Sequence, residues 1–231
     1  MSDKLYGRYR AKVENVDHPE GHYKVQVRLL FLWDDWPAEA LPWAEPELAL
    51  GTRKNNGAAI PLEVGDLVWV VFEAGDSRAP VITGGCLYAP EGVLNMPHEA
   101  FGGSESYQHK RTDKQPATEE PGYYENPVFS LYGTLFEAMR KGGFRLTHKA
   151  SGSAVEVNKD GQFVLHGEAE TFLSSKGDAL VEGDGKLTII VKGNADLESD
   201  GDISLKAKGK LALIGKGGVE MGGSSFNWRK G

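Results

Sequence analysis

The C-terminal third of the chain repeats with a period of eight residues. Nine octads fill residues 152–223, and most of them carry a glycine at the same place, where Ser153 and Ala169 substitute other small residues. A fixed short period indicates a stacked or solenoid architecture. The octad glycines are Gly161, Gly177, Gly185, Gly193, Gly201, Gly209 and Gly217.

Each octad also alternates within itself. The second and fourth residues after the glycine position are apolar nearly throughout, and most of the charged residues stand between them. Successive side chains of a strand point to opposite faces, so one face of each octad is apolar and the other is polar and exposed to solvent. One chain alone would leave the apolar face open, whereas three copies wound about a common axis would bury it. The sequence therefore predicts an intertwined trimeric β-helix; the alternative is an ordinary β-meander with glycine turns. The predicted trimer-core residues are Val155, Val157, Phe163, Leu165, Leu173, Val181, Leu187, Ile189, Leu197, Ile203, Leu205, Leu211, Leu213, Val219 and Met221.

The N-terminal segment, residues 1–92, is typical of a small β-barrel. Residues 5–16 and 22–33 alternate in polarity, residues 67–72 form an apolar run, and residues 79–88 form a last strand. Turn residues such as Gly65-Asp66 and Gly75-Asp76 separate these runs, and a loop-rich stretch covers residues 33–43. Short strands with such turns favour a five-stranded closed barrel of the OB type, so the fold class is predicted as all-β.

The segments between and after these two regions show no regular spacing of apolar residues. Residues 93–151 are rich in Gly, Pro, Ser and Glu and have no period, which predicts an extended connector. Residues 129–143 could hold a short helix ended by Gly142-Gly143. Residues 224–231 form a separate tip segment. Its aromatic and basic residues resemble interface composition, so a docking surface for a separate tip protein is predicted, with a frayed terminus as the alternative. The tip residues are Phe226, Trp228, Arg229 and Lys230.

A combination of motifs stands in residues 5–92: Asp17-His18-Pro19, Val25 and Val27, Pro42-Trp43, Pro61 to Gly65-Asp66, Val70 to Phe72, Gly75-Asp76, Pro80-Val81 and Gly84 to Tyr88. This combination resembles the OB-fold domain of phage baseplate spike proteins, which are related to the spike subunits of type VI secretion systems. The octads are similar to the glycine-centred repeat of the β-helical needle in that family. The order of barrel, connector and needle agrees as well.

The resemblance implies a mechanical role. It implies a homotrimer at the centre of a baseplate, with the barrels against a hub protein beneath the tail tube and the needle directed at the target envelope. The location would be the virion tail baseplate or an equivalent injection particle. Because the N-terminus lacks the apolar run of a signal peptide, synthesis in the host cytoplasm is expected. Piercing would involve a transient contact with the envelope and, at the needle end, a possible tip protein.

Catalysis, metals and cofactors are not expected. Some members of the family carry a lysozyme domain between barrel and needle, but residues 93–151 are too few for one. Some members end in a His-x-His metal site, and the last residues here contain no His, so no metal is carried over. A glycosidase needs two carboxylates held in a rigid cleft. The acidic residues of the connector are therefore interpreted as solvated side chains: Glu99, Glu105, Asp113, Glu119, Glu120, Glu125 and Glu137.

Nucleic-acid binding is disfavoured by charge. Residues 1–92 contain 9 Lys and Arg against 14 Asp and Glu, which opposes binding to a phosphate backbone. His18 and His22 flank a turn and are interpreted as exposed, and the lone Cys86 as a small buried hydrophobe. A second class of function stays open at this point, namely a trimeric OB-fold protein that binds carbohydrate or nucleic acid and has a β-helical stalk.

Overall fold

The computed structural model describes residues 4–49 and 51–225 and contains two units, residues 1–172 and residues 173–231. The first unit holds a closed barrel and a separate five-stranded sheet. Across the described residues, no helix has the length and apolar character that crossing a membrane requires. Four short 3-10 turns lie at Ala38–Ala40, Glu73–Gly75, Pro90–Gly92 and His98–Ala100.

The barrel closes in the strand order β1-β2-β3-β5-β4, which confirms the predicted OB-like barrel. Strands β3 and β5 pair in parallel, and the other neighbours pair antiparallel. β3 lies partly within the stretch predicted as loop. The strands are β1 (Tyr9–Asn15), β2 (Val25–Leu29), β3 (Trp43–Pro46), β4 (Leu67–Phe72) and β5 (Pro80–Gly85).

The barrel core follows from the period-two pattern. In β4, Val68, Val70 and Phe72 point inward and are buried, while the residues between them are partly exposed. Cys86 is buried as expected. Burial of aliphatic side chains of this size stabilises a fold by about 1.5–3 kcal/mol each. The main core residues are Ala11, Val13, Val25, Val27, Leu29, Trp33, Leu41, Ala44, Val68, Val70, Phe72 and Ile82.

The second sheet is an antiparallel meander in the order β10-β9-β8-β7-β6. It includes the end of the predicted connector and the first two octads, so the boundary expected between residues 151 and 152 falls inside it. The first two octads thus form a meander in the single chain. The strands are β6 (Val128–Leu131), β7 (Thr134–Ala138), β8 (Phe144–His148), β9 (Ala154–Val157) and β10 (Phe163–His166).

The short helix predicted over residues 129–143 is wrong. These residues form β6, β7 and the turns beside them. Tyr132 and Gly133 both have positive φ (49° and 76°) and make the two-residue turn between the strands. Gly143 does not end a helix but allows a close approach: at its φ of 94°, a Cβ would collide with the carbonyl oxygen of Val157.

The second unit contains no helix or strand in its described residues, 173–225. The intertwined β-helix predicted for this region is therefore absent from the single chain. Its described side chains are exposed throughout. Strands that pair between copies need those copies, so an isolated octad segment has no partner for its backbone groups.

Candidate functional site

One face of the second sheet carries apolar residues that are exposed or only partly buried in the single chain. Along one line across the sheet, Phe129 is opposite Phe136, Phe136 opposite Leu146, Leu146 opposite Val155, and Val155 opposite Leu165. Cross-strand neighbours of this kind support one another by about 0.2–1 kcal/mol per pair. The line makes a continuous apolar strip, and we call this side of the sheet the apolar face.

A second line extends the same face. Phe144 is opposite Val157, and Val157 is opposite Phe163. Phe163 is 66% exposed in the single chain. A contiguous exposed apolar patch of this kind marks a surface that contacts another molecule. Four of the predicted trimer-core residues, Val155, Val157, Phe163 and Leu165, therefore lie together on the apolar face.

The opposite face of the sheet is charged and buried. Glu137 is opposite Arg145, and Arg145 is opposite Glu156, and all three side chains are nearly inaccessible. Thr147 and His166 lie buried on the same face. Arg145 donates from Nε to Glu137 Oε2 at 2.9 Å, and its Nη1 lies 3.5 Å from Glu156 Oε2. Leu135, Ala154 and Val164 are buried on this face as well, so it combines ion pairs with apolar side chains, whereas a two-faced sheet usually buries an apolar face alone.

Residues 98–119, which we call the strap, cover this charged face. His109 contacts β7 and β8, because its Nε2 lies 3.0 Å from Glu137 Oε2 and its Nδ1 lies 3.2 Å from Thr147 Oγ1. Arg111 pairs with Glu156 on β9. Gln115 Oε1 accepts a hydrogen bond from Nδ1 of His166 on β10 at 3.0 Å. The strap thus makes a polar contact with each of strands β7 to β10.

Both ends of the strap are also held. Glu99 is buried, accepts a hydrogen bond from the Tyr107 backbone N–H at 3.0 Å and lies 3.5 Å from Lys149 Nζ. Near the other end, Glu119 pairs with Lys159 at 3.5 Å. Lys110 Nζ donates to the Ser151 carbonyl at 2.8 Å. The interpretation of the connector carboxylates as solvated is therefore wrong for Glu99 and Glu137, although Glu105, Asp113, Glu120 and Glu125 are exposed.

The electrostatics of Glu137 show how the buried charges are tolerated. Burial alone would raise the pKa of the Glu137 carboxyl, but hydrogen bonds from His109 and Arg145, together with their charges, hold it below its ordinary value. A buried carboxylate stays ionised only when such partners replace water. Both Glu137 and Glu156 have Arg partners and neither faces an open cleft, so the arrangement is suited to fixing the strap on the sheet.

The remaining predicted trimer-core residues lie in the second unit. Each is more than half exposed in the single chain. At the octad glycines from Gly177 to Gly217, a Cβ would meet nothing within 4 Å, whereas Gly161 has φ 75° in the turn between β9 and β10. These exposed core residues are Leu173, Val181, Leu187, Ile189, Leu197, Ile203, Leu205, Leu211, Leu213, Val219 and Met221.

Other sequence-based site predictions have separate outcomes. The tip residues Phe226, Trp228, Arg229 and Lys230 lie outside the described residues. His18 and His22 stack on one another with ring centroids 5.1 Å apart, and His18 also packs against Trp43 at 4.7 Å. In the described part of the chain, no cluster of three His, Cys, Asp or Glu residues could hold a metal ion.

The closed five-stranded barrel defines the N-terminal domain as an OB fold. Residues 9–88, the barrel and its connections, match the family model of the type VI secretion system/phage-baseplate injector OB domain, so the barrel is similar to the domains of that family. The resemblance to baseplate spike proteins related to type VI secretion systems is thereby confirmed. Among curated proteins, none matches the chain. The family is a structural baseplate domain, which indicates a spike-type structural role in a virion or injection machine.

Proposed function

We propose that this chain is the central spike of a contractile phage tail or a related injection machine, that it works as a homotrimer, and that it pierces the target cell envelope. The barrel would attach to the baseplate hub beneath the tail tube. The octads would form the needle as a triple-stranded β-helix. The role is mechanical and non-enzymatic: the trimer holds a rigid shape and transmits the force of contraction.

The observation that carries this proposal is an injector OB domain followed by apolar surfaces that a single chain leaves uncovered. The apolar face of the second sheet and the octad residues of the second unit repeat the same pattern, apolar on one side only. Each square ångström of apolar surface removed from water contributes about 25 cal/mol. Threefold association would bury both surfaces against their own copies. The strap would then lie on the outside of the sheet, where its exposed residues meet solvent.

The tip segment supports a finer proposal. Residues 206–231 contain 6 Lys and Arg against 1 Asp or Glu, whereas residues 160–205 contain 3 against 10. A trimer would triple this asymmetry and place a basic end beside an acidic shaft. We infer that Phe226, Trp228, Arg229 and Lys230 bind an acidic tip protein or an anionic envelope surface, because charge complementarity speeds and orients such encounters. Truncation after Gly223 removes these four residues but keeps the lysines that precede it, so it should weaken salt-dependent binding to anionic vesicles. Unchanged binding would contradict the inference.

The oligomeric state and shape of the purified chain test the main proposal. Sedimentation equilibrium should give a trimer, and negative-stain microscopy should give particles with a slim needle. When the phage tail or injection particle that contains this chain is purified, the chain should copurify with tail-tube and baseplate proteins. A stable folded monomer at micromolar concentration would contradict the proposal, since its apolar surfaces would then stay in water.

One observation favours the second class of function, a ligand-binding OB-fold protein. Arg8 and Arg10 lie over the Trp69 ring at 5.1 and 5.3 Å, and Arg10 lies 5.7 Å from the Tyr88 ring. Aromatic rings with Arg are the surface on which OB folds stack bases. The acidic balance of the barrel opposes this function. A single-stranded oligonucleotide that binds the purified trimer with a strong salt dependence, which Trp69→Ala abolishes, would favour it over the spike.

A further inference from the structure

Strand β2 of the barrel lies between two aromatic residues whose backbones adopt the left-handed conformation. Tyr23 precedes the strand at φ 58°, and Phe31 follows it at φ 69°. Residues with a Cβ rarely adopt this conformation, and it persists only where the surroundings impose it. Such strain concentrates at contact and switch sites. Each end of β2 therefore has an aromatic residue in a strained backbone conformation, and packing of the barrel core does not require that strain.

The end of β2 marked by Phe31 is a rigid projection. Arg28 Nη1 donates hydrogen bonds to the carbonyl oxygens of Trp33 at 2.7 Å, Asp34 at 3.2 Å and Trp36 at 2.6 Å. Arg28 Nε is held in turn by Glu14 at 3.0 Å. One guanidinium thus fixes three carbonyls of the loop, so residues 31–36 are held before any partner arrives.

The tip of this projection is apolar and exposed. The Phe31 backbone N–H donates to both carboxylate oxygens of Asp34 at 3.2 Å, which holds the residue in its strained conformation. Trp33 is buried and stacks on Trp36 with centroids 4.8 Å apart. Phe31 is nevertheless 80% exposed and Leu32 is 54% exposed. We call Phe31 and Leu32 the knob.

The end of β2 marked by Tyr23 contains an apolar groove of about 220 Å³. A cavity of about 150 Å³ accommodates benzene, so the groove is large enough for a phenyl ring. Val16, Tyr23 and Ile60 line it and are exposed, with Leu62 and Val25 behind them. The Lys24 side chain lies at its edge and pairs with Glu45 at 3.3 Å.

The knob cannot fill the groove of its own barrel. The two features lie at opposite ends of β2, and the five residues from Val25 to Leu29 separate them by roughly 16 Å at about 3.3 Å per residue. A feature and its complement at separate places on one surface pair head to tail between copies, and such contacts close into rings when the rotation permits. The charges are compatible with such a contact, because exposed Asp34 and Asp35 flank the knob, and Lys24, whose only partner among the described residues is the exposed Glu45, is among the residues that line the groove.

We propose that Phe31 and Leu32 of one protomer insert into the groove of the next protomer, so that three barrels form a closed ring. This inference rests on the trimer of the proposed function and adds a second, barrel-level interface to it. The ring would bury the strained aromatics at both ends of β2. The partner for the groove is thus a second copy of this chain.

Cysteine cross-linking of the full chain tests the ring. Phe31→Cys and Ile60→Cys are combined in a Cys86→Ala background and oxidised with copper phenanthroline. Non-reducing electrophoresis should then show covalent dimer and covalent trimer that dithiothreitol removes. Each single variant should stay monomeric on the gel. Leu32→Cys with Ile60→Cys repeats the test at a residue without strained backbone, and Phe31→Cys with Val93→Cys is the control, since Val93 is as exposed as Ile60 but lies outside the groove.

The outcomes separate this inference from the proposed function. If sedimentation gives a trimer but neither cysteine pair cross-links beyond the Val93 control, the ring is wrong and the knob contacts another protein. If Phe31→Cys alone gives covalent dimer, the knobs meet each other and the ring is also wrong. If sedimentation gives only monomer, the trimer fails and the ring fails with it. Tryptophan fluorescence matching that of the unmodified chain verifies that each variant keeps its barrel.

Discussion

The barrel and the second sheet solve the same burial problem in opposite ways. In the barrel, Val27, Leu29 and Val70 point inward, and the charged residues point to solvent. In the second sheet, Glu137, Arg145 and Glu156 point inward beneath the strap, and Phe144, Phe163 and Leu165 point outward. A barrel of this kind is complete in one chain. The second sheet leaves an apolar face exposed, which other copies would cover in the proposed trimer, so the comparison separates a core that is complete in one chain from a surface that assembly would complete.

The largest expected effect concerns the octads. Leu205→Asp should abolish the trimer, because threefold symmetry would bury three unpaired carboxylates together, each at a cost of several kcal/mol. Lys206→Asp, one residue away on the wet face, should change the free energy of unfolding by no more than about 0.5 kcal/mol. Sedimentation of both variants measures this. Equal loss of the trimer in both would mean that the assigned face is wrong.

The next effect concerns the charged face. Glu137→Ala should destabilise the strap and sheet by about 3–5 kcal/mol, because the buried Arg145 loses the carboxylate that its Nε and Nη2 contact at 2.9 Å and keeps only the longer contact to Glu156. The exposed Glu120→Ala should have little effect. Four tryptophans, Trp33, Trp36, Trp43 and Trp69, lie in the barrel. Tryptophan fluorescence should therefore change little in Glu137→Ala while hydrogen exchange of residues 134–166 accelerates. Equal acceleration in both regions would contradict the separation.

Concentration distinguishes the two kinds of burial directly. Leu29→Ala should cost the barrel about 2–5 kcal/mol, because it leaves a cavity in a closed core. Phe163→Ala should instead weaken association, so its loss of Tm should shrink as protein concentration rises. Thermal unfolding of both variants over a hundredfold concentration range is the measurement. A concentration-independent shift for Phe163→Ala would place that residue in a single-chain core.

The smallest expected effect is on pH dependence. Because the folded-state pKa of Glu137 lies below its ordinary value of 4.5, its ionised form adds stability above that pH and loses this contribution as the pH falls through the folded-state pKa. The protection of the sheet against hydrogen exchange, corrected for the intrinsic pH dependence of amide exchange, should therefore fall below about pH 4.5 before it falls in the barrel. Glu137→Gln should make the protection of the sheet less dependent on pH.

The barrel offers a comparison over the same pH range. Hydrogen bonds from the Arg78 side chain and backbone lower the pKa of Asp76 to about 2, so the loop that contains both residues should keep its ion pair where Glu137 loses its charge. A sheet that is equally protected at pH 3 and pH 7 would contradict the assignment to Glu137.

The barrel could be predicted from the sequence because its information is local. Alternation in Leu67–Phe72 fixes which residues face inward, and Gly-Asp pairs mark the turns. Strand β3 was missed because Trp43–Pro46 is short and flanked by prolines. The helix over residues 129–143 was wrong because Phe, Leu, Glu and Met suit a helix in isolation, while pairing of β7 with β8 and the Tyr132-Gly133 turn decide the outcome.

The strap could not be predicted because its partners are far away in the chain. Arg111 meets Glu156 across 45 residues, and His109 meets Thr147 across 38. No local period signals such pairs. The sequence contains a partial indication of the charged face. Glu137, Arg145 and Glu156 each stand between apolar neighbours in short alternating runs, which places the three charged side chains on one face of their strands and the apolar side chains on the other.

The position of the strap in the chain sets an order of events in time. The strap precedes the strands that it covers, so it is already synthesised when the sheet forms, and it can close over Glu137, Arg145 and Glu156 at a rate that does not depend on how many other chains are present. In the proposed trimer, the apolar faces meet by collision between chains, and the rate of that step rises with the concentration of the chains. Before the strap closes, both faces of a newly made sheet are open to contacts with other molecules. Once the strap covers the charged face, only the apolar face is open, so every chain would enter association with the same face exposed.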